Sequence, residues 1–291
     1  MKTLNLVDLE NSDIKYKIST FPDGQQQVTV NFSLEIGCVS DYPVQIKARL
    51  NDFKCLELII CIIASLRELG VKEIHLYTPY IMGARSDRKF EEGSNNYLKS
   101  VICPILNSLK LESITCVDPH SHVLEACLNN FKSNTNFELV RWSLHRMDGE
   151  YENISNTKIL ISPDAGASHK IYKLAEQIGY KGDIITCSKE RDTEGKLTKT
   201  VIPVSTIVHK DYIIIDDICD GGNTFINIAK ILKPRLHSSN RIFLIVTHGI
   251  FSKEFDELNK YFDCIYCTNS YKYFGDITKL QTSKLKQLSV F

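Results

Sequence analysis

The chain of 291 residues has no excess of charge of either sign, because 35 lysines and arginines balance 35 aspartates and glutamates. This balance removes the global electrostatic argument for nucleic acid or an anionic membrane surface as a partner. Long hydrophobic runs are also missing, since the longest, over residues 58–64, is too short to cross a bilayer. The N-terminal residues lack the charged segment followed by an apolar segment that is typical of a signal peptide. We therefore expect no nucleic-acid or membrane partner, and any anion must be bound by local groups.

The ten cysteines lack the spacing of a disulfide framework. Most of them lie in apolar segments, as small core residues do. Cys264 and Cys267 form a C-x-x-C pair, but no second pair or histidine follows at the spacing of a zinc site. We therefore expect neither a metal nor a redox role for this pair. This usage of cysteine indicates a reducing compartment and predicts a cytoplasmic protein.

Strands and helices alternate in both halves of the sequence. Amphipathic helices are predicted over 53–69, 97–109, 225–232 and 253–262. Buried strands are predicted over 74–78, 113–117, 158–162, 184–187, 208–217 and 242–247. This alternation is typical of parallel α/β architecture. Weak periodicity over 141–157 marks a boundary, so we expect two tandem parallel-sheet α/β domains over 1–145 and 146–291.

One stretch, Tyr212-Ile-Ile-Ile-Asp-Asp-Ile-Cys-Asp-Gly-Gly-Asn-Thr224, carries the strongest functional signal. It is typical of a buried parallel strand, a tight loop and the start of a helix. Such a loop presents backbone N–H groups and a helix N-terminus to a phosphate. The adjacent acids Asp216 and Asp217 suit ribose hydroxyls or a hydrated Mg²⁺. For this pattern alone, an ordinary turn with solvated acids is the alternative.

The stretch resembles the PRPP-binding loop of the type I phosphoribosyltransferase superfamily. Together with other loops at predicted strand ends, it makes the chain similar to the ribose-phosphate diphosphokinase (PRPP synthetase) family from about residue 20 to residue 290. The trimmed length resembles that of some phage-encoded members. The loops that carry the resemblance are, in order, Phe21-Pro-Asp-Gly-Gln25, Pro79-Tyr80 with Arg85-Ser-Asp-Arg-Lys89, Asp118-Pro-His-Ser121, Ser162-Pro-Asp-Ala-Gly166, Ser188-Lys-Glu-Arg191, Asp216 to Thr224, and Thr247-His-Gly249.

The resemblance implies two phosphoribosyltransferase-type α/β domains with the active site between them. The N-terminal domain would serve ATP and the C-terminal domain the phosphoribose. The implied reaction moves the β,γ-diphosphate of Mg-ATP to the 1-hydroxyl of a 5-phosphorylated ribose and releases AMP. Its implied cofactor is Mg²⁺, and its implied assembly is a homo-oligomer, a dimer or a hexamer.

The resemblance also assigns roles to individual residues. Lys189 and Arg191 match the mobile catalytic loop of the family, where they neutralise the transferring group. His120 and Asp164 match the residues on the metal side. The residues implied for ATP are Phe21, Asp23, Gln25, Arg85, Ser86, Asp87, Arg88 and His120. Those implied for phosphoribose are Asp216, Asp217, Asp220, Gly221, Gly222, Asn223 and Thr224.

Several positions depart from the family pattern. Gln25 stands where glutamate is usual, Ser86 where glutamine is usual, and Glu190 where a second arginine is common. The phosphate loop is usually Asp-Thr-x-Gly-Thr, whereas here it is Asp220-Gly-Gly-Asn-Thr224. The first and last helices of the family have no counterpart. These trims leave the usual oligomer and its allosteric nucleotide site open.

Three alternatives to the ordinary reaction follow from these residues. Gly221 and Gly222 remove side chains beside the 5-phosphate and could admit a larger acceptor, ADP-ribose, in an NAD-salvage reaction of the same chemistry. A non-catalytic regulator that binds nucleotide is a second alternative. The third is a phosphoribosyltransferase that consumes PRPP, although such an enzyme has no need of the ATP-like segment 85–89.

Overall fold

The computed structural model describes residues 1–31, 33, 37–148, 154–191, 197–203, 209–253, 255–275 and 284–291. For residues 148, 155, 189–191 and 197–199 it describes the backbone alone. The chain divides into one compact unit, Met1–Asn134 with Phe291, and a second, Thr135–Val290. This division falls ahead of the 145/146 border expected from sequence, because residues 137–148 form a helix that belongs to the second unit.

The first unit is built on a five-stranded parallel sheet, with strand order β1-β4-β5-β6-β7. An antiparallel hairpin, β2–β3, accompanies the sheet. The strands are β1 Lys2–Asn5, β2 Tyr16–Thr20, β3 Gln26–Val30, β4 Val44–Lys47, β5 Ile74–Tyr77, β6 Ser113–Val117 and β7 Phe131–Asn134. The helices are α1 Phe53–Glu68, α2 Cys103–Ser108, preceded by a π-helical turn over Leu98–Ile102, and α3 Val123–Cys127, with a 3₁₀ turn at Val39–Asp41.

Helix α1 forms where the sequence predicts it. The Asp52 carboxylate accepts a hydrogen bond from the Cys55 N–H at 2.8 Å and so caps the start of the helix. Gly70, with φ of +88°, takes up the left-handed conformation that ends it. Its buried residues recur at helical spacing and pack on the sheet: Leu56, Ile59, Ile62, Ile63 and Leu66.

The second unit is built on a six-stranded parallel sheet, with strand order β15-β14-β13-β12-β8-β9. A short antiparallel pair, β10–β11, follows β9 in sequence. The strands are β8 Lys158–Ser162, β9 Ile184–Thr186, β10 Ser188–Arg191, β11 Leu197–Val201, β12 Asp211–Cys219, β13 Ile242–Gly249, β14 Cys264–Thr268 and β15 Leu285–Leu288. The helices are α4 Phe137–Asp148, α5 Ile154–Thr157, α6 Ala165–Gln177, α7 Asn223–Leu232 and α8 Asp256–Tyr261, with a 3₁₀ turn at Lys233–Arg235.

Strand β12 is the centre of this second sheet and contributes to both of its cores. Side chains alternate across a strand, so Tyr212 and Ile214 pack in one core while Ile213 and Ile215 pack in the other. The first core contains the buried face of α7, and the second contains that of α6. Burial on both faces explains the continuous apolar run of β12. The α/β architecture with parallel sheets is confirmed.

Three segments differ from the sequence-based expectation. The charged sequence over residues 189–199 lacks apolar periodicity and predicts a loop, but residues 189–191 and 197–199 belong to the antiparallel strands β10 and β11. The expected loop is therefore wrong at both of its ends. Helix α4, Phe137–Asp148, extends into the region 141–157, where we expected a boundary with weak periodicity. The chain end, for which we expected no element, contributes the edge strand β15. The predicted start of β12 at residue 208 lies outside the described residues.

The two cysteines of the C-x-x-C pair pack in the cores of the second sheet. Cys264 and Cys267 lie on β14, three residues apart, and belong to opposite cores of the sheet. Burial raises the pKa of Cys267 to about 12 and also raises that of Cys264. All ten cysteines are free thiols. Within the described part of the chain, no helix has the length and apolar character needed to cross a membrane.

Candidate functional site

Two adjacent acids, Asp216 and Asp217, lie near the carboxyl end of β12, one directed to each face of the sheet. Asp217 continues the alternation of Ile213 and Ile215 and therefore faces α6. There its Oδ2 lies 2.7 Å from Nζ of Lys170. The Asp217 N–H donates to Oδ1 of Asp216 at 2.9 Å, which ties the two acids together. The strand thus delivers one paired and buried acid beside a second, half-buried one.

The loop after β12 leads directly into α7. Gly222, with φ of +76°, is the N-cap residue of the helix and has no side chain with which to cap it. The first backbone hydrogen bond of the helix joins the Ile226 N–H to the Gly222 carbonyl oxygen at 3.0 Å. The N–H groups of residues 223–225 come before that bond and have no partner inside the helix. Such a set of N–H groups, at the positive end of a helix, suits a phosphate.

The electrostatics of the loop reflect its acids. Cys219 lies in the core immediately before Asp220. Burial raises the pKa of its thiol, and the nearby Asp216 and Asp220 raise it further. The thiol is therefore protonated at neutral pH and serves as packing rather than as a nucleophile.

The space beside the two loop glycines is taken by side chains of the same unit. A Cβ placed on Gly221 would lie 3.3 Å from Cδ and from Cε of Lys253. A Cβ placed on Gly222 would lie 3.0 Å from Cδ2 of Leu258, on α8. The two glycines therefore allow the segment after β13 to approach the loop closely.

Asp164 lies at the carboxyl end of β8, which is the neighbour of β12 in the sheet. Its Oδ1 accepts a hydrogen bond from the Ala167 N–H at 3.1 Å and caps α6. The carboxyl ends of parallel strands meet at one edge, so Asp164 lies at the same edge as Asp216 and Asp217. A structural role for Asp164 is therefore visible, and its metal role stays a prediction. Among the described residues no cluster of three or more metal-ligating side chains exists.

Lys189 and Arg191, the predicted catalytic pair, lie on β10, which begins two residues after β9. Backbone pairing places Lys189 opposite Thr200 and Arg191 opposite Leu197, with a register shift between Glu190 and Arg191. Their side chains lie outside the described part of the structure. Strand β9 borders β8, so this strand pair starts from the same sheet edge as Asp164.

The predicted ATP segment of the first unit lies beyond the carboxyl end of β5. The main chain of this segment is fixed by hydrogen bonds, from the Ser86 N–H to the Gly83 carbonyl at 2.8 Å and from Asn96 Nδ2 to the Asp87 carbonyl at 2.5 Å. Arg85 and Arg88 are exposed, and the Arg88 guanidinium lies 5.6 Å from the ring centre of Phe90.

The next strand, β6, ends at the same edge and leads into Asp118 and His120. Asp118 is buried and has a φ of +43°, a strained value for a residue other than glycine. Two residues later His120 is exposed. The structure thus places the predicted segments 85–88 and 118–120 after adjacent strands of one sheet, as expected for loops that share a ligand.

The predicted adenine-binding residues form the tip of the β2–β3 hairpin. The Phe21 N–H donates to the Gln25 carbonyl at 2.8 Å, and the Gln25 N–H donates to Oδ1 of Asp23 at 3.2 Å. The Phe21 side chain is 50% exposed. The hairpin contacts α1 through the Gln26 N–H, which donates to Oε1 of Glu57 at 3.2 Å. An exposed ring at a turn can accept a base by stacking, but the turn hydrogen bonds are structural.

Sequence reasoning missed two lysines of the phosphate-loop region, Lys170 and Lys253. The alternation of β12 could have indicated Lys170, because it directs Asp217 to the face that α6 covers. No sequence signal indicates Lys253, whose approach to Gly221 depends on the path of the segment after β13.

The chain is similar to known proteins in sequence and in fold. The family profile of the phosphoribosyl synthetase-associated domain matches residues 185–291. The chain is 29% identical over 224 residues to the ribose-phosphate pyrophosphokinase of Saccharolobus solfataricus, covering 75% of this chain and 71% of that one. It is 25% identical over 259 residues to ribose-phosphate pyrophosphokinase 2 of Saccharomyces cerevisiae, covering 87% and 78%. A solved phosphoribosylpyrophosphate synthetase from Mycobacterium smegmatis shares the fold, with a TM-score of 0.78 at 17% identity, over 97% of this chain and 88% of that one.

Proposed function

We propose that this chain is a ribose-phosphate pyrophosphokinase and that it transfers the β,γ-diphosphate of ATP to ribose 5-phosphate, giving PRPP and AMP; its similarity to proteins of that name supports the proposal. The 1-hydroxyl oxygen of the sugar attacks the β-phosphorus of ATP. The bond from that phosphorus to the α,β-bridging oxygen breaks, AMP leaves, and the hydroxyl proton passes to solvent. Negative charge gathers on phosphoryl oxygens, so positioning and cations supply most of the catalysis.

The observation that carries the proposal is the path from β12 into α7. Residues 223–225 offer N–H groups to the 5-phosphate at a helix start whose N-cap residue, Gly222, has no side chain. Asp216 and Asp217 precede the loop at a distance in sequence that suits the ribose hydroxyls, and Lys170 holds Asp217 in place. A phosphate cradle and a sugar-binding acid pair thus follow one another along a single strand and loop.

Ribose 5-phosphate fits this loop better than ADP-ribose does. An ADP-ribose acceptor needs room beyond the 5-phosphate for a second phosphate and a nucleoside. The room that Gly221 and Gly222 offer is taken by Lys253 and Leu258. The glycines therefore serve internal packing, and the idea that they admit a larger acceptor loses its physical basis.

The ATP-side residues of the first unit support phosphate binding by charge. Arg85 and Arg88 are exposed, and guanidinium groups bind phosphate oxygens through forked donors. His120, and Asp164 in the second unit, are the proposed protein contacts of Mg²⁺. Magnesium commonly takes one or two protein ligands and completes its shell with phosphates and water, so the lack of a three-residue cluster in the described regions is compatible with it. When bound, Mg²⁺ neutralises charge on the transferring phosphoryl oxygens.

Lys189 and Arg191 are the proposed catalytic cations. They lie on a short strand pair at the edge of the sheet that carries the acceptor loop. Their charges would oppose the negative charge that builds on the diphosphate during transfer. The homo-oligomer stays a prediction, which analytical ultracentrifugation can test.

The experiment is a direct acceptor assay. The protein is incubated with Mg-ATP and either ribose 5-phosphate or ADP-ribose, and AMP and the sugar product are quantified. We expect AMP and PRPP in equal amounts with ribose 5-phosphate, and a much slower reaction with ADP-ribose. A faster reaction with ADP-ribose would overturn the assigned acceptor. Absence of AMP with either acceptor would favour a non-catalytic regulator, and pyrophosphate release from PRPP with a base would identify a phosphoribosyltransferase.

A further inference from the structure

Lys253 lies in the segment between β13 and α8, and its aliphatic chain covers Gly221. A Cβ on Gly221 would lie 3.3 Å from Cδ and Cε and 3.6 Å from Cγ of this lysine. These are the distances of close van der Waals contact, so the stem occupies the place where another residue at position 221 would carry its side chain. The lysine is thereby held against the first turn of the phosphate loop.

The ammonium of Lys253 must lie close to the same loop. Nζ is one bond of about 1.5 Å beyond Cε, so it lies within about 5 Å of the Cβ position of Gly221. The residue is exposed, and within the described regions no ion pair or hydrogen bond engages its ammonium. A lysine ammonium held in this way is a compact charge suited to phosphate oxygens.

We propose that Lys253 binds the 5-phosphate of the acceptor and restricts the acceptor to a terminal phosphate monoester. The inference deepens the proposed function and rests on it. The ammonium would neutralise a phosphate that the N–H groups of residues 223–225 hold from the other side. The stem, packed on Gly221, closes the space that a diphosphate-linked group would need. One side chain thus supplies affinity through its charge and selectivity through its bulk.

Charge and bulk can be separated by three variants. Lys253→Met keeps an unbranched stem without the charge, Lys253→Arg keeps the charge, and Lys253→Ala removes both. Lys230→Met, which removes an exposed lysine from the later part of α7, is the matched control. Circular dichroism and the melting temperature show whether each variant is folded.

Calorimetry with ribose 5-phosphate, without ATP, tests the charge. We expect Lys253→Met to weaken binding about tenfold or more, Lys253→Arg to restore it to within about threefold, and Lys230→Met to bind as the parent does. Raising the salt concentration should weaken the parent more than Lys253→Met. Parent-like binding by Lys253→Met would overturn the inference, and so would a parent that binds no ribose 5-phosphate at millimolar concentration.

The reaction rates with the two acceptors test whether the bulk of the Lys253 side chain sets selectivity. We expect the rate with ADP-ribose, relative to that with ribose 5-phosphate, to rise about tenfold or more in Lys253→Ala but not in Lys253→Met. An unchanged ratio in Lys253→Ala would overturn the selectivity role. Because the calorimetric arm needs no turnover, a parent that binds ribose 5-phosphate through Lys253 but releases no AMP would refute the proposed reaction and leave the phosphate contact standing.

Discussion

The ammonium of Lys170 on α6 lies 2.7 Å from Oδ2 of Asp217 on β12. The Asp217 side chain is only 7% exposed, so the lysine compensates the charge of a carboxylate that has left water. This pairing also fixes the direction of one of the two acids proposed to hold the ribose. We therefore propose that Lys170 is a positioning residue of the proposed acceptor site.

Replacing Lys170 by methionine should impair the acceptor step. A hydrogen bond to a charged group contributes about 1.5–3 kcal/mol, so we expect kcat/KM for ribose 5-phosphate to fall about 10- to 100-fold, with a smaller effect on the KM of ATP. AMP release at saturating ATP and varied ribose 5-phosphate measures this.

Two companion variants make the Lys170 result specific. Lys170→Arg should recover much of the activity, because it keeps a cation opposite Asp217. Lys173→Met removes an exposed lysine from the same helix and should behave as the parent does. If Lys170→Met keeps parental kinetic constants, the positioning role is wrong.

Local signals in the sequence were sufficient for the elements around the site. Strand β12 was predictable because its apolar run is buried on both faces, and α1 because Asp52 and Gly70 mark its ends. The order of Asp216, Asp217 and the glycine loop predicted the strand, loop and helix that the structure has there, and phosphoribose binding by this loop stays a prediction. These features depend on neighbours in the chain, which a sequence shows directly.

Features that depend on distant residues could not be predicted in the same way. The Lys170–Asp217 pair joins residues 47 positions apart, and it requires the packing of α6 on β12. The strand pair β10–β11 contains Ser188-Lys-Glu-Arg191, which has no apolar alternation, so its main-chain ladder has no signature in hydrophobicity. Asp164 shows a different difficulty. Aspartate suits both a helix cap and a metal ligand, so its presence in the sequence does not distinguish the two roles.

Substitution of Gly222 by alanine should damage the phosphate loop. Gly222 has a φ of +76°, and an added Cβ would meet Leu258 Cδ2 at 3.0 Å. The left-handed conformation alone costs a residue other than glycine about 1–2 kcal/mol. We expect a melting temperature lowered by several degrees and weaker binding of ribose 5-phosphate by calorimetry.

Gly221→Ala is the comparison for the melting temperature alone, because its added Cβ would also meet Lys253, the proposed phosphate ligand. Its backbone has no positive φ, and its Cβ would meet only the flexible stem of Lys253, so the loss of stability should be smaller. The double variant Gly222→Ala with Leu258→Ala separates the two causes at Gly222. A backbone origin predicts no recovery of binding in the double variant, whereas a steric origin predicts recovery.

Lys189→Ala should lower kcat while the acceptor still binds. Loss of one group that stabilises transition-state charge typically costs about 10²–10³ in kcat. We therefore expect AMP formation to fall by that order, with the calorimetric affinity for ribose 5-phosphate unchanged within about twofold. Arg191→Ala should behave alike. Lys199→Met, on the facing strand opposite Glu190, is the control and should keep most of the activity. If Lys189→Ala kept the parental kcat, the proposed catalytic role of Lys189 on β10 would be wrong.

The stability of the second unit should depend on pH through Tyr180. Its hydroxyl lies 2.9 and 2.8 Å from the carbonyl oxygens of Lys158 and Asp183, which share its one proton, and burial raises the pKa of Tyr180 to about 12. Between about pH 10, the ordinary pKa of tyrosine, and about pH 12, the folded protein keeps a proton that the unfolded chain has lost. Stability from this group is therefore complete below pH 10 and declines above it, by up to about 1.4 kcal/mol per pH unit.

Comparison with Tyr180→Phe isolates that contribution. At pH 7 the variant should be less stable by about 1 kcal/mol, because the two carbonyls lose a donor. Above pH 10 the parent loses the Tyr180 contribution and the variant does not, so the gap in urea-unfolding free energy should narrow and then reverse. Tyr172→Phe, at a 55% exposed position on α6, should follow the parent at every pH. A constant gap from pH 8 to 11 would show that the Tyr180 hydroxyl ionises equally in the folded and unfolded chains, contrary to its burial between the two carbonyls.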